Sequence, residues 1–193
     1  MSQAQLTSTA YNYAGSRPQL KRQSGSYMRT PIGLQNTFSV IHQRAYYMPI
    51  YVESTTTFDR LALSTASTFS GTGTVRMGIY NDSNGAPSTL VLDAGTVSAT
   101  AASTNYEITI SQSLNPGFYW LAFAQQGTAP TTAAYTGAVN SGTQYFNQYI
   151  LGAASPTAAP TFGWFQNSVT GAFATATSLT ISTNLAYVWI RSA

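Results

Sequence analysis

The stretch Val75-Arg-Met-Gly-Ile-Tyr-Asn-Asp-Ser-Asn-Gly-Ala-Pro-Ser-Thr-Leu-Val-Leu92 decides the fold class. Val75, Met77 and Ile79 alternate with smaller or polar residues, and a period of two places them on one face of a strand. Asn81 to Gly85 then supplies side chains that tolerate positive φ and close local hydrogen bonds, the signature of a tight turn. Pro87 lacks an N–H, so the ladder is expected to be interrupted there before the next strand, Thr89 to Leu92.

The same grammar extends in both directions. Tyr106, Ile108 and Ile110 form a second alternating trio, and Phe118, Trp120 and Ala122 a third, set off by the turn residues Asn115-Pro116-Gly117. Each trio is read as a core-facing row. Further strands are expected at Tyr46 to Val52, Phe58 to Ser64, Thr161 to Phe165, Leu179 to Ser182 and Ala186 to Arg191. Helix is disfavoured because Lys and Glu are nearly absent while β-branched and aromatic residues abound. The predicted fold is all-β, an antiparallel two-sheet sandwich of jelly-roll type with an extended N-terminal arm. The run Tyr187-Val188-Trp189-Ile190 is apolar at every position, so both its faces should be covered, one by the core and the other by the arm or a neighbouring subunit.

Charge is scarce. Of 193 residues, 8 are Lys or Arg and 5 are Asp or Glu, 7% in all, against about 25% in an ordinary soluble domain. Thr and Ser must supply much of the polar surface, which suits a subunit surrounded by other protein, and a homo-oligomer is expected. Residues 1–52 carry Arg17, Lys21, Arg22, Arg29 and Arg44 and no acid. Residues 1–44 lack strand or helix periodicity and read as an arm whose five bases, with Tyr11, Tyr13 and Tyr27, anchor it to a partner. The bases are too dispersed for nucleic acid to be the expected partner. Residues 45–193 form the sandwich domain, interrupted by a long segment at about 125–160 punctuated by Gly and Pro. Loops of that length are usually functional, and Tyr135, Tyr145, Phe146 and Tyr149 within it, with Trp164 just beyond, are candidate receptor or interface contacts.

Enzymatic chemistry finds little support in the sequence. There is no cysteine and one histidine, His42. That excludes thiol catalysis and a Cys/His zinc site, and no Gly-x-Ser-x-Gly elbow accompanies the histidine. Among the five acids, Asp59 and Glu107 are the pair that could meet across a sheet, as glycoside hydrolysis would require. Asp82 and Asn84 offer hard oxygen ligands without a complete calcium-loop spacing. No cofactor and no metal are expected. The N-terminus has no basic start followed by an apolar run, and no stretch of about 18 apolar residues occurs, so neither a leader nor a membrane partner is expected.

Phe58-Asp-Arg-Leu-Ala-Leu63, the stretch from Val75 to Gly95, and Leu114-Asn-Pro-Gly-Phe-Tyr-Trp-Leu-Ala-Phe123 together resemble a β-sandwich module of bacteriophage tail fibres and other virion appendages. The resemblance spans residues 58–127. It implies localisation in a virion, a structural role in a tail fibre or appendage, trimeric assembly and a part in host attachment, with contacts to other virion proteins through the arm. It transfers no catalytic residue. Two alternatives remain open at this level: a capsid decoration protein strapped to the shell by the arm, and a glycan-binding module in which Tyr145, Tyr149 and Trp164 stack on host surface sugars.

Overall fold

A computed structural model describes residues 24–29, 36–138 and 161–193, and within them the chain forms strands and turns without a helix. The strands are β1 (Tyr27–Met28), β2 (Asn36–Ser39), β3 (Ala45–Val52), β4 (Thr56–Ser64), β5 (Gly73–Ser83), β6 (Ala86–Ala99) and β7 (Asn105–Leu114). They continue with β8 (Gly117–Gln126), β9 (Ala134–Ala138), β10 (Gly163–Gln166), β11 (Thr180–Ser182), β12 (Leu185–Ala186) and β13 (Trp189–Ser192). They assemble into a four-stranded sheet, β1-β13-β4-β7, a six-stranded sheet, β11-β10-β3-β8-β5-β6, and a three-stranded sheet, β12-β9-β2. Every pairing is antiparallel. From β3 to β8 the chain passes back and forth between the two larger sheets, the expected sandwich. The third sheet was not foreseen, and a bridge from Thr65 to Tyr135 ties it to β4.

The turn after Tyr80 forms as the sequence dictates. Asn84 and Gly85 adopt φ of +53° and +78°, the pair of positive values that a two-residue hairpin of right-handed twist requires. Pro87 does not interrupt the ladder, because Asp82 pairs with Pro87 and Ser83 with Ala86. β6 is the edge of its sheet, where a missing N–H is tolerated.

The main core lies between the sheets. Val75, Met77 and Ile79 are fully buried there, with Leu61 and Phe58 of β4 and Leu121 and Phe123 of β8. Each such side chain contributes about 1.5–3 kcal/mol by leaving water. The trio Phe118, Trp120 and Ala122 departs from expectation. It faces away from this core; Tyr119, Leu121 and Phe123 are the inward residues. Trp120 and Ala122 belong to a second apolar cluster on the outer face of the six-stranded sheet, with Tyr47, Tyr80 and Phe173, and Phe118 is half exposed against Tyr51. Alternation identifies two faces of a strand but not which one is inside, and β8 is apolar on both.

The predicted strand from Ala186 to Arg191 is broken. Leu185 and Ala186 pair with β9, and Trp189 to Ser192 pair with β4. The chain thus changes sheet at Tyr187-Val188, and both of those residues are 1% exposed. The expected two-sided cover is complete at Tyr187 and Val188 and partial at Trp189, and the arm supplies part of it: the guanidinium of Arg29 lies 3.8 Å from the Tyr187 ring centroid and 4.9 Å from that of Trp189.

Two domain boundaries need correction. Residues 27–28 and 36–39, read as part of an anchoring arm, pair with β13 of the four-stranded sheet and β9 of the three-stranded one. The segment at about 125–160 begins later than expected, since Gln125 and Gln126 end β8, and it contains β9.

Candidate functional site on the outer face of the four-stranded sheet

Register fixes what the outer face of this sheet displays. Tyr27, Arg191, Arg60 and Thr109 form one row, Trp189, Ala62 and Glu107 the next, and Ser64 with Asn105 a third. A bulge in β4 between Phe58 and Arg60, seen from both neighbouring strands, inserts an extra residue. Phe58 remains fully buried while Asp59 and Arg60 are both partly exposed. Bulges re-aim side chains in this way. Four of the ten charged residues in the described segments, Asp59, Arg60, Glu107 and Arg191, consequently converge here.

Their contacts are specific. Arg191 grips Asp59 with two parallel hydrogen bonds, Nε to Oδ1 at 2.8 Å and Nη2 to Oδ2 at 2.7 Å. Arg60 stands between the acids, 4.0 Å from Asp59 Oδ2 and 3.8 Å from Glu107 Oε2. The Tyr27 hydroxyl donates to Glu107 Oε1 at 2.5 Å. Hydrogen bonding from Arg191 holds the Asp59 carboxyl below the usual carboxylate range. Burial, reinforced by the bond to Glu107, pushes the Tyr27 phenol up to about 12. Asp59 is therefore a fixed anion that can accept hydrogen bonds but holds no proton to donate at neutral pH.

Beside the charged row the surface sinks into a cavity of about 210 Å³ with Tyr27, Trp189 and Glu107 among its walls. Ser64, Asn105 and Thr136 separate it from a second hollow of about 460 Å³, bordered further out by Asn36, Thr37, Ser67 and Ser103. The Ser64 hydroxyl donates to Asn105 Oδ1, and Thr136 Oγ1 donates to the Ser64 carbonyl at 3.3 Å. The two hollows share that hydrogen-bonded wall and together make a groove that is less polar at the Trp189 end than at the Asn36 end.

The residues singled out from the sequence fall elsewhere. Tyr135 is a core residue, 1% exposed and edge-on to Phe123 and Phe69 at 5.0 and 5.6 Å, so it cannot present its ring to a receptor. Trp164 donates its indole N–H to the Gly85 carbonyl at 2.9 Å and packs on the second apolar cluster, pinning β10 to the β5–β6 turn. Arg29 is spent on Tyr187 and Trp189. Arg44 lies 4.1 Å over the Phe165 ring and bonds Asn167 Oδ1 at 2.7 Å. Neither is a free anchor. Arg17, Lys21, Arg22, Tyr145, Phe146 and Tyr149 lie outside the described residues.

Structural roles also absorb other candidates. His42 Nε2 meets the Gly127 carbonyl at 2.8 Å, and Asp82 accepts the Trp120 indole N–H at 2.8 Å. Asp59 and Glu107 do share a sheet face, as their strand positions allowed, but each is engaged by an arginine. Asn105 and Glu107 as walls of the groove, and Trp189 with them, escaped the sequence reading, which weighed Glu107 only as a possible partner of Asp59. The signal for the first two was the regular outward alternation of β7, which places Asn105, Glu107 and Thr109 on the face opposite Tyr106 and Ile108. A comparison with protein-family models, with curated proteins and with solved structures finds no match to this chain.

Proposed function

We propose that the chain is a non-catalytic structural subunit of a bacteriophage particle, a tail-fibre or appendage component that serves host attachment and works as a homo-oligomer, trimeric as the resemblance implies. The observation that carries the assembly part is a charge-poor open side of the sandwich. β6 and β7, 14 and 10 residues long, are the outer edges of their sheets, paired on the inner side with β5 and β4, and among the described residues no strand pairs with the outer side of either. Natural edges of this length are normally blunted with lysine, proline or bulges. β6 follows that rule with Pro87 and three register shifts; β7 has neither Pro nor Lys, and Glu107 is its one charge. Val91, Leu92, Val97, Tyr106 and Ile108 are left only partly buried along that side. A second copy would cover them and complete the ladder.

Asp59 at the charged face is held by Arg191 in a two-bond ion pair, which supports a structural role for that carboxylate. Light scattering of the purified chain should give a multiple of 20.6 kDa, and Thr109→Lys with Ser111→Lys, both on exposed positions of β7, should lower that mass without loss of folding. Antibody labelling of particles should fall on the tail. Labelling spread over the shell would reassign the chain to capsid decoration, and a monomer that no particle carries would sink the proposal.

A further inference from the structure

The geometry points to the groove between the Glu107 carboxylate and the Asn36 rim as a binding site for an uncharged saccharide chain, which deepens the attachment reading and rests on it for its setting. The chemistry of the walls eliminates the other ligand classes. Among the described residues no lysine or arginine lines either hollow, and Arg60 beside Glu107 is already shared between two carboxylates, so a phosphate, sulfate or carboxylate would lose hydration next to the like charge of Glu107. Among the described residues the aliphatic lining is limited to Ala62 and Ala66, too little to hold an acyl chain. What remains is a wall of hydroxyls and amides with a carboxylate and two aromatic side chains at one end, a set that matches a ligand presenting many hydroxyls and an apolar ring face.

Acceptors and donors are both in place. One Glu107 oxygen receives the Tyr27 hydroxyl, and the lone pairs not used in that bond can accept sugar hydroxyls in charge-assisted bonds. The Asn105 side chain spends its oxygen on Ser64 and retains its amide N–H groups as donors. Arg29 lies over the Trp189 ring at 4.9 Å and Arg191 over the Tyr27 ring at 5.5 Å, and these contacts restrain rings that would otherwise lose rotamer entropy on binding. The groove is also of the right scale: its two hollows, about 210 and 460 Å³, together fall within the roughly 300–1,000 Å³ of ordinary ligand pockets, and the wall of Ser64, Asn105 and Thr136 that they share sets them next to each other, as consecutive residues of a chain would need.

The test uses the full chain on an array of neutral oligosaccharides (glucans, galactans, mannans and chitin oligomers) with polysialic acid and heparin as anionic controls, followed by calorimetry on the best neutral ligand. Binding of a neutral oligosaccharide is expected, and Glu107→Gln or Asn105→Ala should weaken it roughly 10-fold or more, the effect of one hydrogen bond to a charged or well-placed partner. Ser67→Trp, at an exposed rim position, should block the outer hollow and abolish binding with the thermal midpoint unchanged. Absence of binding to every neutral oligosaccharide, preference for the anionic controls, or indifference to all three variants would overturn the inference. A fall in oligomer mass in these variants without an effect on saccharide would make the groove a subunit contact and overturn it too. Tail labelling without saccharide binding leaves the virion reading standing and removes this one; saccharide binding by a chain absent from particles does the reverse.

Discussion

Asp93 illustrates how few charges this chain uses and how much each one holds. Its carboxylate takes two hydrogen bonds from Arg76 Nη1, at 2.8 and 2.6 Å, and also accepts the backbone N–H groups of Gly95 and Phe173, each at 3.1 Å. Arg76 Nε in turn bonds Gln126, whose amide donates to the carbonyls of Val169 and Gly171. This network fastens the 167–176 stretch over the second apolar cluster. The two side chains are 17% and 20% exposed, so removing one partner leaves a largely desolvated charge behind. Asp93→Ala should cost about 3 kcal/mol and speed amide exchange at Phe173 and its neighbours. A loss under about 0.5 kcal/mol, the range of ordinary surface substitutions, would show the network to be incidental. Gly78 belongs to the same neighbourhood: a Cβ there would stand 2.7 Å from both the Leu92 carbonyl and the Phe173 ring, which is why the β5 strand carries glycine under that cluster.

At the scale of elements, the arm is where the structure most changes the outlook. Met28 packs on the core, Phe38 and Val40 are buried within it, and Phe38 meets Tyr46 edge-on at 5.2 Å. Deleting residues 1–44 therefore strips at least two core side chains at about 1.5–3 kcal/mol each and uncovers β13 and β9. Against a total stability of about 5–15 kcal/mol, the truncated chain should lose cooperative thermal unfolding in circular dichroism; an unchanged midpoint would restore the picture of a detachable arm. The hairpin at Asn84-Gly85 and the strand positions of β3, β4, β5 and β7 were legible because period-two alternation and positive-φ residues are local signals. β1, β2 and β9 were not, since two to five residues are too few to show a period, and their pairing depends on β13 and β12, far away in sequence. The groove was hidden for the same reason. Its parts come from β1, β2, β4, β7, β9 and β13, and only the register of the sheet brings Trp189 and Glu107 into one row.

For the molecule as a whole, sparse charge moves the pH sensitivity of folding to the alkaline side. Six of the nine tyrosines in the described segments, Tyr27, Tyr46, Tyr47, Tyr80, Tyr135 and Tyr187, have phenols raised above their ordinary value, burial being the first cause in each. Tyr27 and Tyr47 are pushed up to about 12, and Tyr80 and Tyr135 further. A group whose folded pKa exceeds its unfolded value stabilises the fold fully below the unfolded value, about 10 for tyrosine. That contribution drains away as pH rises toward the folded value, because the unfolded chain releases its protons first. Tyr106 runs the other way: burial opposes ionisation, but the N–H groups of Thr100 and Ala101, both 2.8 Å from its oxygen, outweigh it and lower the pKa. One phenol cannot offset six. Denaturant midpoints should accordingly fall steeply between about pH 10 and 12, with phenolate absorbance and loss of strand signal appearing in a single cooperative step. Smooth ionisation of all tyrosines near pH 10, with the strand signal intact, would mean that Tyr46, Tyr47, Tyr80, Tyr135 and Tyr187 are not sealed in the two apolar clusters and that Glu107 does not hold Tyr27.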